Sequence, residues 1–159
     1  HEYPTSEQMA EIAISTARVV RLFGFEPKVA FVSHSTFGQP LTSRTKHIRK
    51  AVDILKEQKV DFEFDGDMQP DVALNSEYEE LYPFSNIVGK ANILIMPGQH
   101  SAAISYKMMK TLGDTKVIGP LLIGLGLPIE IAPLRSSTSE LINLASVAAY
   151  SADIIDYKK

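Results

Sequence analysis

Two spacings of apolar residues take turns along this chain, and their exchange predicts its elements. Met9, Ile12, Ala13, Thr16, Val20 and Phe23 recur at helical intervals and predict one face of a long first helix. Thr5, with Gln8 three residues on, reads as a capping box at its start, and Gly24 as its end. Glu7 and Glu11 fall early and Arg18 and Arg21 late, the order that the helix dipole favours. Residues 28–33, KVAFVS, predict a β-branched strand, which runs into the polar loop 33–40. A second helix is predicted from about Thr42 to Gln58, with Ile48, Ala51, Val52 and Leu55 inward. Val60, Phe62 and Phe64 then alternate with Asp61, Glu63 and Asp65, the period of a half-buried strand. Asp65-Gly66-Asp67 reads as the turn that ends it, residues 70–74 as a short helix, and residues 75–85, polar and aromatic with Pro83, as loop.

The chain is organised around residues 89–107, GKANILIMPGQHSAAISYK. The apolar run 91–96, between Gly89-Lys90 and Pro97-Gly98, predicts a central strand buried on both faces of a mostly parallel sheet. Ser101 opens a helix with Ile104, Met108 and Leu112 at helical spacing, stopped by Gly113. Residues 116–125 are apolar but broken by Gly119-Pro120, and 128–133 predict a short strand or extended piece. Ser137 and Glu140 form another capping-box pattern, ahead of Leu141, Leu144, Ala145, Ala148, Ala152 and Ile155 in a last amphipathic helix, about 137–157. Strand and helix alternate throughout, so the expected fold class is α/β: one domain over residues 1–159, a three-layer α/β/α sandwich with a mostly parallel mixed sheet. In such sheets ligands bind beyond the carboxyl ends of the strands, which directs attention to the loop 97–101.

Composition narrows the function. With 45% hydrophobic and 22% charged residues the chain reads as an ordinary globular domain. A net charge of −3 and the lack of a long Lys/Arg run argue against a nucleic-acid partner. No apolar run reaches the roughly 18 residues of a membrane span, and nothing at the start resembles a signal peptide. Zero cysteines removes disulfides, thiolate zinc sites and cysteine nucleophiles, and agrees with a cytoplasmic location. The chain starts His-Glu-Tyr-Pro without a Met, so it reads as a piece of something longer, with His1 a candidate tag remnant.

Several residues invite chemistry, each with a plainer alternative. Arg44, Lys46, Arg49 and Lys50 precede the first acid of the second helix, Asp53, against the preference of the dipole. They read either as an anion site with the hydroxyls of loop 33–39 or as a solvated basic face. Asp65, Asp67 and Asp71 with Glu63 fit no EF-hand spacing and read as soluble turn chemistry rather than a metal cluster. His34 and His100 both follow predicted strands, without an H-x-H or HExxH pattern. Gly124-Leu125-Gly126 lacks both the third glycine and the helix of a dinucleotide fingerprint. Met108 and Met109 read as helix surface or core.

Ordered blocks then resemble one family, the phosphate acetyl/butyryltransferases, and most of all the related C-terminal domain of hybrid NADP-dependent malic enzymes. EPKVAFVSHSTFG (26–38) is similar to the family's E-P-K-V-A-x-L-S-x-S-x-x-G, and FDGDMQPDVAL (64–74) to its D-G-E-L-Q-x-D-A-A-L. GKANILIMP and ISYK are similar to G-x-A-N-V-L-I-F-P and I-x-Y-K, and VIGPLLIGLGLP (117–128) to A-I-G-P-I-L-Q-G-L-x-x-P. The resemblance covers about residues 5–155. It implies a phosphotransacetylase / isopropylmalate dehydrogenase-like fold, and that this is the second half of a two-domain module holding acetyl-CoA and phosphate between its domains. The last helix is then expected to pack on a missing or a neighbouring domain.

The departures carry the functional expectation. Where the transferases have D-L-S-R-G after the last Pro of the preceding block, aligned from Pro128, Pro133 and Leu134 stand in place of the Ser and Arg. Glu140 replaces the following Asp, and Ala103 the Asn of A-G-N-I. Proline and leucine can neither hydrogen-bond a thiol nor clamp a phosphate, and acyl transfer needs such groups to neutralise developing charge. The resemblance therefore implies a regulatory, acetyl-CoA-binding and oligomerising domain without transferase activity, with a malic enzyme catalytic domain N-terminal to it. The parent chain is expected to be an NADP-dependent malic enzyme, an oxaloacetate-decarboxylating malate dehydrogenase. An active phosphate acetyltransferase and a purely structural oligomerisation module are the alternatives. The expected acetyl-CoA/phosphate site is Ser33, Ser35, Thr36, Gly38, Tyr106, Lys107, Gly119, Pro120 and Arg135, with no catalytic residue, no metal and no tightly bound cofactor. Lys107 and Arg135 are the candidates for the ligand's phosphates, an ordinary exposed lysine being the other reading of Lys107. A homodimer or larger assembly is expected from the small and apolar residues of 118–127 and of the last helix.

Overall fold

Thr5 and Gln8 close a capping box in the computed structural model: the Thr5 hydroxyl accepts from Gln8 N at 3.2 Å, and Gln8 Oε1 accepts from Thr5 N at 2.9 Å. The structure describes residues 1–113, 116–125 and 127–154, in two compact units, His1–Tyr106 and Lys107–Lys159. In chain order the elements are α1 (Ser6–Leu22), β1 (Lys28–Val32), α2 (Ser43–Gln58), β2 (Glu63–Met68), α3 (Pro70–Leu74), a 3₁₀ turn (Ser76–Glu80), β3 (Ile93–Ile95), α4 (Gln99–Leu112) and α5 (Thr138–Ile154).

In the first unit three parallel strands pair in the order β2-β1-β3. Residues 91–96 were expected to supply the centre of the sheet, and β1 takes that place instead, with Val29, Ala30, Phe31 and Val32 buried. The reason lies downstream: neither 116–125 nor 128–133 forms a strand, so among the described residues β3 is an edge. Pro120, Pro128 and Pro133 each remove a ladder donor from those segments. Residues 128–133, expected as a short strand or extended piece, form neither helix nor strand.

Side-chain alternation along β1 divides the interior. Val29 and Phe31 join Ile93 and Ile95 against Met9 and Ala13 of α1 and Ile48, Ala51 and Leu55 of α2. Ala30 points the other way, to Met68, Ala73, Ile87 and Ala91. Helices α1 and α2 cover one face and α3 with the following segment covers the other, so the unit has three layers. Phe31, 0% exposed, is the largest fully buried side chain, and burial of such a group contributes about 1.5–3 kcal/mol.

Helix α1 turns a different face inward from the one its larger residues predict. Ala10 and Ala17 are buried with Met9 and Ala13, while Ile12 and Phe23 are 36% and 41% exposed. Alanines allow α2 to approach closely, and that contact outweighs the burial of isolated larger side chains. Helix α2 runs as predicted, with Thr42 and Thr45 exchanging backbone-to-hydroxyl bonds at its start.

Strand β2 corrects the period-two reading. It starts at Glu63 and continues through Asp65-Gly66-Asp67, which is strand and not turn. The aspartates are buried, at 5% and 0% exposure, because their carboxylates accept bonds from groups around them. Asp65 takes Gly66 N at 2.9 Å, Asn86 N at 2.7 Å and Asn86 Nδ2 at 3.0 Å. Glu63, two residues earlier, takes Val88 N at 2.9 Å. These two carboxylates tether the segment 86–88 alongside β2 and satisfy its amides.

In the second unit Ser137 and Glu140 form the predicted capping box, with Ser137 N to Glu140 Oε2 at 2.7 Å and Glu140 N to Ser137 Oγ at 3.3 Å. Leu144 of α5 is buried, while Leu141 is 47% exposed. Ile155 and the predicted end of this helix near 157 lie outside the described residues, as does Gly126 of the G-x-G. Among the described residues no helix is long and apolar enough to cross a membrane.

Candidate functional site

The loop after β1 folds down onto the end of β2, and this contact positions most of the expected site in the first unit. Ser33 N donates to Met68 O at 2.9 Å and Phe37 N to Asp67 O at 2.6 Å. The Ser35 hydroxyl donates to Asp67 Oδ2, and Gln69 N donates to Thr36 Oγ1 at 3.2 Å. Gln69 Nε2 completes the join on His34 O at 2.9 Å. Ser33 and Ser35 are buried, so these two hydroxyls brace the loop from within, while Thr36 and Gly38 are half-exposed. Asp67 Oδ1 is buried without a hydrogen-bond partner.

The second expected loop, 97–101, also lies at the carboxyl edge. The pairing of Phe31 with Ile95 brings Ser33 and Pro97 level at the ends of neighbouring strands. The described contacts of this loop run to the start of the chain: Gln99 N donates to His1 O at 3.3 Å, and His100 Nε2 lies 3.2 Å from Glu2 Oε1. His34 sits instead beside the Ser33 hydroxyl, so the two histidines have separate partners. Tyr106 is half-buried on α4. Lys107, Gly119, Pro120 and Arg135 belong to the second unit, where Lys107 and Arg135 are exposed.

The cationic run at the start of α2 is dispersed. Lys50 pairs with Glu7 at 2.9 Å, and that hydrogen bond holds the Glu7 carboxyl down at about 2. Arg49 lies over Gly38 in the loop. A Cβ at Gly38 would come within 2.7 Å of Arg49 Nη1, which the flexible end of that side chain can yield, and it is the φ of +81° that favours glycine here. The preceding Phe37 also has positive φ, +50°, which costs a bulky residue on the order of 1–3 kcal/mol. Its ring is held by Phe84 and Tyr82, with centroids 4.8 and 5.4 Å away.

These features border a cleft of about 790 Å³ that the sequence reading missed. Helix α2 supplies Arg49, Asp53 and Lys56, β2 supplies Asp65 and Gly66, and the loop 78–86 supplies the aromatic side. Of the expected site residues only Thr36 lines it. The signal was present in two noted stretches, the basic run of α2 and the aromatic loop 75–85, but nothing in their spacing showed that they meet. Among the described residues no group of three or more His, Asp or Glu is placed to hold a metal.

The open parallel sheet with helices on both faces is shared with solved phosphotransacetylases. The chain belongs to the phosphate acetyl/butaryl transferase family, whose pattern it matches over residues 1–149. It is 49% identical over 152 residues to the NADP-dependent malic enzyme of Rhizobium meliloti, covering 96% of this chain and 20% of that protein. It is 36% identical over 151 residues to the phosphate acetyltransferase of Clostridium acetobutylicum, covering 94% of this chain and 45% of that one. A phosphotransacetylase from Streptococcus pyogenes superposes with a TM-score of 0.88 at 34% identity, over 95% of this chain and 46% of the other. This chain thus spans a fifth of the malic enzyme and under half of the transferases. The phosphotransacetylase-like domain is shared between the two kinds of protein.

Proposed function

We propose that this domain is a regulatory acetyl-CoA-binding and oligomerising part of an NADP-dependent malic enzyme, acting in the cytoplasm and without transferase activity. The observation that carries the proposal is the pair Pro133-Leu134 in place of the family's Ser-Arg. Leu134 is fully exposed, and neither residue can polarise a thioester carbonyl or hold a phosphate. The scaffold that would seat the ligand is retained: the braced loop 33–38 and the level loop 97–101. The 49% identity to a malic enzyme supports a parent chain of that kind, with its catalytic domain as the intramolecular partner. Acetyl-CoA is then an effector: Thr36, Gly38 and Tyr106 of the first unit are candidate contacts, on a loop braced by Ser33 and Ser35, and Gly119, Pro120, Lys107 and Arg135 are candidates in the second unit, the last two for its phosphates. The 36% identity to a phosphate acetyltransferase supports the second reading, an active transferase with altered catalytic groups.

The full-length protein separates the two. Regulation predicts acetyl-CoA binding by calorimetry and no acetyl phosphate from acetyl-CoA and phosphate. Turnover of about 1 per second or faster, the ordinary enzymatic range, overturns it in favour of the transferase. Undiminished acetyl-CoA binding by a Lys107→Ala, Arg135→Ala double variant would show that other residues hold the phosphates.

A further inference from the structure

Of the residues assigned to acetyl-CoA only Thr36 borders the cleft beside β2, and the rest of its lining has a chemistry of its own. Its volume, about 790 Å³, lies within the range of roughly 300–1,000 Å³ typical of small-molecule sites. One side is aromatic: Phe37, Tyr82 and Phe84 meet at centroid distances of 4.8–6.1 Å, and Phe84 remains 63% exposed. The charged part of the lining is mixed, with Arg49 and Lys56 beside Asp53, Asp65 and Asp71. Arg49 and Lys56 stand seven residues apart on one face of α2, about 10 Å along the helix axis. Neither is ion-paired among the described residues, although Lys50 on the same helix is. Asp53 lies between them in the helix, and Asp53 and Asp71 both border the cleft. The Asp65 carboxylate is already occupied by three N–H donors.

We propose that this cleft, which borders the loop 33–40 through Thr36, Phe37 and Gln39, is a second ligand site, and that it takes a nucleotide-type molecule: a flat heteroaromatic base on the Phe37–Tyr82–Phe84 cluster and phosphate on Arg49 and Lys56. A ring with a π-face stacks on such a cluster, and a guanidinium with an ammonium nearby suits a diphosphate better than a single carboxylate. The free carboxylates of Asp53 and Asp71 accept from ribose hydroxyls or a base amino group, as an acidic residue does in dinucleotide folds.

The test uses the full-length protein, calorimetry, and two probes, ADP and acetyl-CoA, with adenosine and pyrophosphate as half-ligands. The parent should bind ADP more tightly than about 1 mM, and adenosine and pyrophosphate each more weakly. The exposed double substitution Arg49→Ala, Lys56→Ala should weaken ADP at least about tenfold while leaving adenosine little changed. Phe84→Ala should weaken ADP and adenosine alike. The Lys107→Ala, Arg135→Ala double variant should bind ADP as the parent does, which separates the cleft from the effector site although acetyl-CoA carries the same base and diphosphate. No ADP binding at 1 mM, or parent-like ADP affinity in both variants, overturns the site. Loss of ADP binding in Lys107→Ala, Arg135→Ala overturns its separateness. Loss of acetyl-CoA binding in Lys107→Ala, Arg135→Ala with ADP unaffected would bear on the effector reading alone.

Discussion

In the unit His1–Tyr106, Met9, Phe31, Ile48 and Leu55 are 0–2% exposed, whereas in the unit Lys107–Lys159, Ile129, Ile131 and Leu134 are 48, 56 and 103% exposed. Both stretches are rich in apolar residues, and the difference is what their backbones do. The first pairs three strands and covers the sheet on both faces, so each apolar side chain meets another element. The second holds extended segments interrupted by proline before one capped helix, with no strand pairing among its described residues. Helix α4, which crosses from one unit to the other, has Ile104, Met108 and Leu112 on its predicted stripe at 58, 54 and 78% exposure. Periodicity alone therefore does not bury a face. A surface of that composition is characteristic of an interface.

The sharpest way to break this contrast is substitution of one large apolar residue in each unit. Phe31→Ala should cost about 3–5 kcal/mol in urea unfolding, by lost transfer energy and a cavity under the sheet. Leu134→Ala should shift stability by no more than about 0.5 kcal/mol in either direction. Equal effects would mean that Leu134 is covered in solution.

Cover for the second unit is the next test. If its apolar segments meet a second copy of the chain, light scattering at tens of micromolar should report a dimer, with an interface of more than about 1,000 Å². Monomer alone would end that reading.

A smaller effect is expected where carboxylates substitute for strand pairing. Asp65→Ala leaves the amides of Gly66 and Asn86 without their acceptor and should cost about 1–3 kcal/mol. Hydrogen exchange should quicken at 86–88, and the helix α5 should be unchanged. Thr5→Ala and Ser137→Ala then compare two caps of the same design. Each should cost about 1 kcal/mol, the first within the cooperative unfolding of the first unit and the second as fraying of α5.

The smallest effect is that of pH. Lys110, through its hydrogen bond to Glu140 at 2.6 Å, and then the Ser137 amide and hydroxyl, hold the Glu140 carboxyl at about 2, below its usual 4.5. A depressed carboxyl favours the folded state where it is ionised. Its contribution is thus present above pH 4.5 and is lost as pH falls towards about 2. Amide protection at the start of α5 should fall over that window, and Lys110→Met should move the midpoint upward. Glu7 is held at about 2 by Lys50 and should behave the same way where α1 meets α2, in the better-covered unit.

Local chemistry was legible in the chain wherever a few neighbouring residues settle the outcome. The Thr5–Gln8 and Ser137–Glu140 boxes and the α2 start at Thr42 follow from side-chain reach across a single turn, the short helix from Pro70 follows from the fixed φ of a proline in its first turn, and all formed as read. The alternation of strands and helices also named the α/β class, because a parallel sheet needs crossovers. Tertiary structure decided what depends on residues far apart. It made β1 central, turned the alanine face of α1 inward, and drew Asp65 and Asp67 into a strand. An aspartate reads as turn or surface until the donors that satisfy it are known, and those of Asp65 include Asn86, 21 residues away. The cleft between α2 and the aromatic loop is of the same kind. Arg49 and Lys56 share a helix face by spacing, but only the fold sets Phe37, Tyr82 and Phe84 opposite them.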